Sequence, residues 1–365
     1  MSDDEADPEL LEMLRKSLGI SSGEDGLART TGVLEDAEYI YNNSIDVAID
    51  MRGTQAAASL VHSQMLERGY STQTWSEHEL HPKSKDERTV NFIFTVDLLN
   101  FSFWSEISGD ERFCVEYRGR RWTGYWSLVA ALQRALDEDI PITTPSFWID
   151  SKDLTQARLR HIFRSATDGQ IPLLVERLDC LQEAGRVLEA NYDSSILSLI
   201  ESANKTAGSL VNLLARDFPC FRDEHRFEGK KVRFLKRAQI FVADLWAAFN
   251  GEGYGEFMDI HELTMFADYR VPQILHTLGV LIYSPPLENH IRALRLIEPG
   301  DSREVQLRGC SIWAVELLRR EILKRCSDMG VNSVLIDFFL YDLAKEREKE
   351  GMEAVPHHRT RSIWY

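Results

Sequence analysis

The chain has 365 residues, of which 44% are hydrophobic and 27% charged, a composition typical of a folded globular protein rather than a disordered one. Its formal net charge of −16 argues against a protein that binds duplex nucleic acid directly, because such binding depends on lysine and arginine contacts to phosphates. No window approaches the roughly 18 consecutive apolar residues of a membrane span, and no signal-peptide pattern opens the sequence. We therefore expect a cytoplasmic protein, with a nuclear one as the alternative, and no membrane partner.

The cysteines support a reducing compartment. There are five, an odd number, and none forms a C-x-x-C pair. They lie inside apolar or amphipathic runs, which predicts buried free thiols rather than a disulfide framework. They are Cys114, Cys180, Cys220, Cys310 and Cys326.

The first third of the chain mixes several patterns. Residues 1–30 contain DDEAD and SSGEDG around a short amphipathic segment, which predicts an acidic, partly disordered lead-in. Apolar residues at three- and four-residue steps between Val33 and Leu66 predict two or three helices. The run at 90–104 is compatible with a strand or a buried helix. Alternation at 113–117, followed by RGRR, predicts a small antiparallel insertion.

The rest of the chain has a helical pattern. A helix from Leu128 to Leu136 ends at DEDIP, and from Asp150 onward nearly every segment is amphipathic with helical period. No linker rich in proline, glycine or serine divides this run. We therefore predict a mainly α-helical single domain over residues 31–365, with a small β insertion.

The stretch from Lys231 to Leu275 places charges in apolar surroundings. Lys236, Arg237 and Asp244 lie in a helix predicted over 234–246 whose apolar residues cover most of its circumference. Arg237 and Asp244 are seven residues apart, so they lie nearly on one line, two turns apart. Since an unpaired buried charge is costly, this pattern indicates either a structural ion pair or a pair of active-site groups.

Asp268 precedes a helix that Pro272 initiates. Its carboxylate would lie near the positive end of the helix dipole, which favours the ionised form. From the residues alone, a helix cap is the simpler interpretation.

Other motifs exclude several classes of site. The GEGYGEF run at 251–257 lacks the G-K-[ST] ending and follows a helix, so it predicts a helix end and loop rather than a phosphate-binding loop. The ten histidines show no spaced metal-binding set, and no G-x-S-x-G elbow occurs. We expect neither a metal nor a cofactor.

Two aromatic clusters are compatible with core packing or with stacking on a heterocyclic base. One combines NFSFW at 100–104 with RRWTGYW at 120–126, and the other is the terminal PHHRTRSIWY. A free tail rarely ends in three large apolar residues, so we expect the C-terminal residues to pack onto the domain.

Taken together, these motifs resemble the queuosine salvage protein family. The matching segments are DLLNFSFW, WTGYWSLVAALQRALDEDIPITTPSFW, FLKRAQIFVADLW, ADYRVPQIL, GCSIWAVELLRREI and HHRTRSIWY. The resemblance runs from about Thr31 to Tyr365. It implies a fold related to helix-hairpin-helix DNA glycosylases, and hydrolysis of the N-glycosidic bond of queuosine 5′-monophosphate. The released queuine would be reinserted into tRNA by a separate enzyme.

The resemblance also implies roles for particular residues. Lys236 and Asp268 would be catalytic, which replaces the cap interpretation of Asp268. A carboxylate beneath the anomeric carbon can stabilise an oxocarbenium-like transition state and orient water. The substrate-binding candidates are Asp244 and Arg237 near the base, Asn100, Phe101, Phe103, Trp104, Trp122 and Tyr125 around its ring, and Tyr269, His358 and Arg361 for the phosphate.

Two alternatives remain open. A DNA or RNA base glycosylase of the related fold would require a basic face. A non-catalytic protein that binds queuine or its nucleotide would show an intact pocket without turnover.

Overall fold

The computed structural model describes residues 28–107, 109–150, 152–325, 330–351 and 355–365. Most of the predicted lead-in, residues 1–27, lies outside these ranges, and so does Cys326. Within them, residues 28–30 contact the folded chain, because the side-chain amide of Asn212 donates hydrogen bonds to the carbonyls of Ala28 and Thr30. The lead-in therefore meets the domain just before Thr31, which is buried.

Helices dominate the described part of the chain, as predicted. Those of the first half are α1 Val33–Asn42, α2 Met51–Glu67, α3 Gln73–Glu77, α4 Glu87–Leu98, α5 Tyr125–Asp137, α6 Pro145–Ile149, α7 Gln156–Ile162 and α8 Leu174–Asn191. Those of the second half are α9 Ile196–Ser202, α10 Ala207–Asp217, α11 Lys236–Ala248, α12 Arg270–Thr277, α13 Pro285–Arg292, α14 Ser302–Arg325 and α15 Ser333–Lys349. No helix in these ranges is long and apolar enough to cross a membrane.

Three two-stranded antiparallel sheets accompany the helices in the described part of the chain. The predicted insertion is confirmed as β2 Val115–Tyr117 paired with β3 Arg120–Trp122. The sequence analysis missed a second hairpin, β4 Glu224–Phe227 with β5 Lys230–Arg233. It also assigned Val47–Ile49 to a helix, which is wrong: these residues form β1, which pairs with β6 Leu281–Tyr283. Three residues are too few to show a period, and the partner strand is far away in sequence.

Burial explains why segment 90–104 was ambiguous. α4 begins after Asp86, whose carboxylate accepts hydrogen bonds from the amides of Arg88 and Thr89. Almost every residue from Thr89 to Leu98 is buried. A helix that is apolar on all sides shows no amphipathic period, so its pattern does not distinguish it from a strand.

The core is built around α14. This helix packs against α1, α2, α15 and β1, and its residues from Glu304 to Glu316 are buried. Gly309 permits a close approach to α1, since a Cβ there would lie 2.5 Å from Ile40 Cγ2. The C-terminal residues pack onto the domain as expected, and Tyr365 is 1% exposed.

A buried ion pair connects three distant segments. Both Nη atoms of Arg308 on α14 donate to the Asp223 carboxylate, at 2.9 and 2.5 Å, while its Nε donates to the Ala267 carbonyl at 3.0 Å. Its guanidinium lies between the rings of Phe234 and Tyr365, 4.1 and 4.4 Å from their centroids. Asp223 precedes β4, and Ala267 precedes α12. The pair therefore fixes the segments before α11 and α12 relative to the core.

Breaking this pair should destabilise the whole domain. Asp223→Ala removes the carboxylate that binds both Nη atoms and leaves the buried guanidinium with Glu304, whose Oε1 lies 3.5 Å from Nη1. We therefore expect the free energy of unfolding to fall by about 3 kcal/mol, the lower end of the cost of breaking a buried pair. Glu256→Ala, which removes an exposed pair with Lys205, serves as the control and should cost at most about 1 kcal/mol. Denaturant unfolding measures both. Equal losses in the two variants would contradict the role given to Arg308.

Candidate active site

The backbone places Lys236 at the first residue of α11. Leu235 before it adopts a left-handed conformation, with φ +49°, and the Lys236 amide donates to Asp223 Oδ2 at 3.3 Å. The side chain is 6% exposed. Its Nζ donates to the carbonyl of Asn100, which follows α4, at 3.4 Å. The amine is thus held between the start of α11 and the end of α4.

Asp268 is both a helix cap and a cavity residue. Its Oδ1 accepts hydrogen bonds from the amides of Arg270 at 2.9 Å and Val271 at 2.8 Å, at the start of α12. The residue is 9% exposed and also lines a cavity. The two interpretations weighed from the sequence are therefore compatible, since one carboxylate anchors the helix and faces the cavity.

The central cavity has a volume of about 560 Å³. Its polar side chains include one lysine and several carboxylates, whereas most of the other lining residues are aromatic. The lining comprises Tyr70, Trp75, Glu77, His78, His81, Asn100, Phe103, Tyr125, Trp126, Lys236, Ile240, Asp244, Phe266, Asp268, Tyr269, Asp337, Phe338, Tyr341, Asp342 and Tyr365. Nowhere in the described ranges do three histidine, cysteine or acidic side chains converge in a metal-binding arrangement.

Burial shifts the protonation of Lys236 and Asp268. It lowers the pKa of Lys236 to about 8, a shift that the negative charge of Asp268 partly opposes. The pKa of Asp268 is raised by burial, against the effects of Lys236 and of the two helix amides. The helix end favours the ionised carboxylate, as the sequence predicts, but burial has the larger effect on the pKa.

Three further carboxylates lie near this pair. Burial raises the pKa of Asp244 to about 7, while a hydrogen bond from the Trp75 side chain acts in the opposite direction. Asp337 on α15 accepts the Phe266 amide at 3.0 Å, and burial together with the charge of Asp268 raises its pKa well above the ordinary value. Asp97 lies behind the cavity wall, where burial and Asp244 raise its pKa. Several protonatable acids thus surround one lysine.

Most of the sequence-predicted residues converge on this cavity. Seven line it: Lys236, Asp268, Asp244, Asn100, Phe103, Tyr125 and Tyr269. The side-chain Nδ2 of Asn100 donates to Asp97 Oδ1 at 3.3 Å, and its backbone carbonyl accepts from Lys236 Nζ. The backbone and the side chain of Asn100 therefore both contribute to the polar wall. Tyr125 Oη is 3.0 Å from His81 Nε2, and His81 is neutral because burial lowers its pKa to about 3.

Six predicted residues lie elsewhere. Trp104 does not line the central cavity but lines a neighbouring one, and its indole donates to the Thr360 carbonyl. The other five, which line neither cavity, are Arg237, Phe101, Trp122, His358 and Arg361.

Arg237 and Phe101 belong to the packing beneath the site. The Arg237 guanidinium donates to the carbonyls of Leu98 and Cys220, so it forms no pair with Asp244. It also lies 5.0 Å from the centroid of the Phe101 ring, which is fully buried. The seven-residue spacing shows that Arg237 and Asp244 lie on the same face of the helix. It does not show which neighbouring residues pack against each of them.

The remaining three residues have structural partners. The Trp122 indole donates to the Tyr117 carbonyl inside the β2–β3 hairpin. His358 Nε2 lies 3.2 Å from Tyr365 Oη. Arg361 donates to the Trp104 carbonyl at 2.9 Å and lies over that ring at 3.5 Å. Trp122 and His358 contact residues of the central cavity, since His78 lies against Trp122 and Tyr365 against His358. None of the three side chains lines either cavity itself.

Sequence reasoning missed an aromatic wall around α3. His78 stacks on Trp126 with centroids 3.3 Å apart, and Trp75 stacks on His81 at 3.9 Å. It also missed Asp337. The signal was present, because Asp337 in LIDFFLYD sits within an apolar run, as Lys236 and Asp244 do.

The second cavity, of about 350 Å³, adjoins the first. The two share Phe103, Tyr125, Tyr269 and Tyr341. Basic side chains distinguish the second cavity: Arg112, Arg270, Lys345 and Arg359.

A family model and the sequences of individual proteins both match this chain, and the two comparisons agree. A family model described as queuosine salvage protein matches residues 80–365. The chain belongs to the queuosine salvage protein family. It is 44% identical over 347 residues to a protein of Schizosaccharomyces pombe, covering 91% of this chain and 99% of that one. A Mus musculus protein is 43% identical over 337 residues, covering 91% and 98%, and one from Sphaerobacter thermophilus is 37% identical over 334, covering 92% and 98%. Each is named queuosine 5′-phosphate N-glycosylase/hydrolase.

The coupling of Lys236 to Asp268 can be measured directly. We expect Lys236 to titrate near pH 8, and Asp268→Asn to lower its pKa further, because the negative charge that opposes the shift is lost. NMR titration of labelled lysine side chains would show both. Asp259→Asn is a matched control: Asp259 also accepts two amides at a helix start, those of Ala207 and Gly208, but it does not line the cavity. An unchanged Lys236 pKa in Asp268→Asn would contradict the coupling.

Proposed function

We propose that this protein hydrolyses the N-glycosidic bond of queuosine 5′-monophosphate, releasing queuine for salvage into tRNA. The observation that carries the proposal is the convergence of Lys236, Asp268 and protonatable carboxylates in one cavity, in a chain 44% identical to a protein named for this reaction. In the reaction, water attacks the anomeric carbon, the bond from that carbon to the base nitrogen breaks, and ribose 5-phosphate leaves with queuine.

Asp268 is the group that we assign to the ribose. Cleavage passes through an oxocarbenium-like state, so a fixed carboxylate near the anomeric carbon lowers the barrier and can accept a proton from the attacking water. The amides of Arg270 and Val271 hold one oxygen of this carboxylate. Pre-orientation of this kind is what makes an electrostatic contribution effective, because no reorganisation is needed during the reaction.

The leaving base needs a proton from another group. Queuine is a 7-deazaguanine, so it lacks the N7 atom that purine glycosidases can protonate. Asp244 and Asp337 line the cavity, and burial favours the protonated form of each. A carboxylic acid that is still protonated near neutral pH can donate to the base as the bond breaks. We assign this role to that pair, with the Trp75 indole orienting Asp244.

Lys236 acts as a cation in this scheme. Its positive charge lies close enough to Asp268 to affect the pKa of both groups, so it favours the ionised aspartate that the reaction requires. Hydrolysis by water does not require the covalent Schiff base that lysine forms with carbonyl compounds. We also assign to the amine a contact with a ribose hydroxyl.

The aromatic wall supplies the platform for the base. The aromatic side chains that line the cavity include Phe103, Tyr125, Trp75, His78 and Trp126. Flat rings of this kind stack on heterocyclic bases of any type, because every base has a π-face. Asn100 adds an amide at the polar edge. A cavity of about 560 Å³ falls in the range that small-molecule sites occupy.

The proposal also covers the kinship of the fold, the class of substrate and the cellular location. A kinship with helix-hairpin-helix glycosylases is supported by the helical scaffold alone. A polynucleotide substrate is disfavoured by the net charge of −16. A cytoplasmic location is supported by the four described cysteines, which are all buried free thiols.

The test is base release from a substrate panel. The purified protein is incubated with queuosine 5′-monophosphate, with queuosine, with GMP and with a queuosine-containing RNA oligonucleotide, and free bases are separated by chromatography. We expect queuine from the monophosphate, and no comparable release of guanine from GMP. Binding of the monophosphate without release would support a non-catalytic binding protein, and release from the oligonucleotide would support the polynucleotide alternative.

The role of Asp268 is tested by Asp268→Asn. Asparagine keeps an oxygen for the helix amides, as it caps helices well, but it carries no negative charge. We expect kcat to fall by at least ~100-fold while the unfolding midpoint is retained. Asp259→Asn is the matched control and should keep kcat within twofold of the wild-type value, an allowance of about 0.4 kcal/mol in barrier height. Near-wild-type turnover by Asp268→Asn would remove Asp268 from the mechanism.

A further inference from the structure

The C-terminal end of α4 accepts hydrogen bonds from three buried cations. Four successive backbone carbonyls take part, and the pairs, with the acceptor first, are Leu98 with Arg237, Leu99 with Arg177, Asn100 with Lys236 and Phe101 with Arg177. Carbonyls at the end of a helix have no partner within the helix, and all four residues are buried. Side chains from α8 and α11 therefore supply the donors that these carbonyls need.

The two arginines are buried without a carboxylate partner. Within the described residues, both guanidiniums donate only to backbone carbonyls. Burial lowers the pKa of Arg177 to about 9, so this side chain is still a cation at neutral pH. A buried charge is costly, and the negative end of a helix dipole offsets part of that cost. The end of α4 thus provides the counter-charge for Arg177 and Arg237, and Lys236 lies at the same end.

Arg177 holds the segment that connects α4 to the wall of the central cavity. Its two Nη atoms bind the carbonyls on either side of Asn100, each at 2.5 Å. Its guanidinium also lies 4.3 Å from the ring centroid of Phe101 and 5.6 Å from that of Phe103, which lines the cavity. Arg177 itself lines neither cavity. It therefore contacts the wall from behind.

The backbone after this segment adopts a conformation that its neighbours must maintain. Ser102 has φ +56°, a left-handed value that is uncommon for residues other than glycine, and it is fully buried. Its amide donates to the main-chain oxygen of Tyr365 at 3.1 Å. Strained residues of this kind persist only where the surrounding structure fixes them. Arg177 fixes the carbonyl of Phe101, immediately before the turn, so loss of Arg177 would let the turn relax and move Asn100 and Phe103.

We propose that Arg177 is a positioning residue for the reaction, which bridges the carbonyls of Leu99 and Phe101 and thereby holds the Asn100 carbonyl against Lys236. The kinetic part of this inference rests on the proposed function, whereas the placement of the amine does not. The planar guanidinium fork can bind two acceptors at fixed positions, but the compact ammonium of a lysine cannot reproduce that geometry. The spacing of the two donors therefore matters as well as the charge.

The test uses Arg177→Lys, which keeps the positive charge but removes the fork. We expect kcat for queuosine 5′-monophosphate to fall by at least about 10-fold, because a misplacement of 1 Å can cost about 100-fold. NMR titration of labelled lysine side chains, well below the unfolding midpoint, should show the pKa of Lys236 lowered by roughly one pH unit. The reason is that an acceptor favouring the charged amine has moved away.

Two further variants complete the experiment. Arg177→Gln needs no buried charge, so it replaces the lysine variant if that variant does not fold, and it should lower kcat to the same extent. Arg134→Lys is the matched control. Arg134 on α5 also donates to three backbone carbonyls but lines neither cavity. We expect the control to keep kcat within twofold of the wild-type value and to leave the pKa of Lys236 unchanged.

The outcomes distinguish this proposal from the proposed function. An unchanged pKa of Lys236 in the Arg177 variants would overturn the positioning role, whatever their kcat. An equal loss of activity in Arg134→Lys would also overturn it, since the loss would then reflect stability alone. Failure of the wild-type protein to release queuine would overturn the proposed function, but the titration of Lys236 would still decide whether Arg177 positions the amine.

Discussion

The arrangement of the site depends on the buried contacts of Arg308. Its guanidinium binds Asp223 and the Ala267 carbonyl at once. Asp223 also accepts the Lys236 amide, and Ala267 is followed by Asp268. One side chain of the central helix therefore fixes the two backbone segments that carry the lysine and the aspartate. Burying such a pair costs desolvation free energy. It nevertheless holds both segments against one rigid helix, as a site with precise geometry requires.

Burial then determines the chemistry available inside the cavity. The same removal from water lowers the pKa of Lys236 and raises those of Asp244, Asp268 and Asp337. Neighbouring carboxylates with different partners thus have different proton affinities. Lys236 favours the charged form of both Asp268 and Asp337, but Asp268 accepts two amides, whereas Asp337 accepts one and has the negative charges of Asp268 and Asp244 nearby. In the proposed mechanism, this difference allows one carboxylate to stabilise positive charge while others hold protons for the leaving base.

The sequence predicted those features that local pattern determines. Amphipathic period revealed most helices, and charges in an apolar run pointed to Lys236 and Asp244. Asp268 was assigned to the site by the family resemblance, because the residues alone favoured a helix cap. Short strands such as β1 were misassigned because their pairing is remote in sequence. Arg237 was placed with the substrate because a helical wheel shows alignment but not neighbours, and its guanidinium instead binds two carbonyls. The basic cavity unites residues between Arg112 and Arg359, and no local pattern brings these together.

The central claim of the proposed function is that the nucleotide binds in the central cavity with its anomeric carbon at Asp268. A crystal structure of the Asp268→Asn variant with queuosine 5′-monophosphate tests it most directly. The account predicts the base against the aromatic wall beside Asp244 and Asp337, and the anomeric carbon next to position 268. A nucleotide bound with its ribose away from position 268 would contradict it.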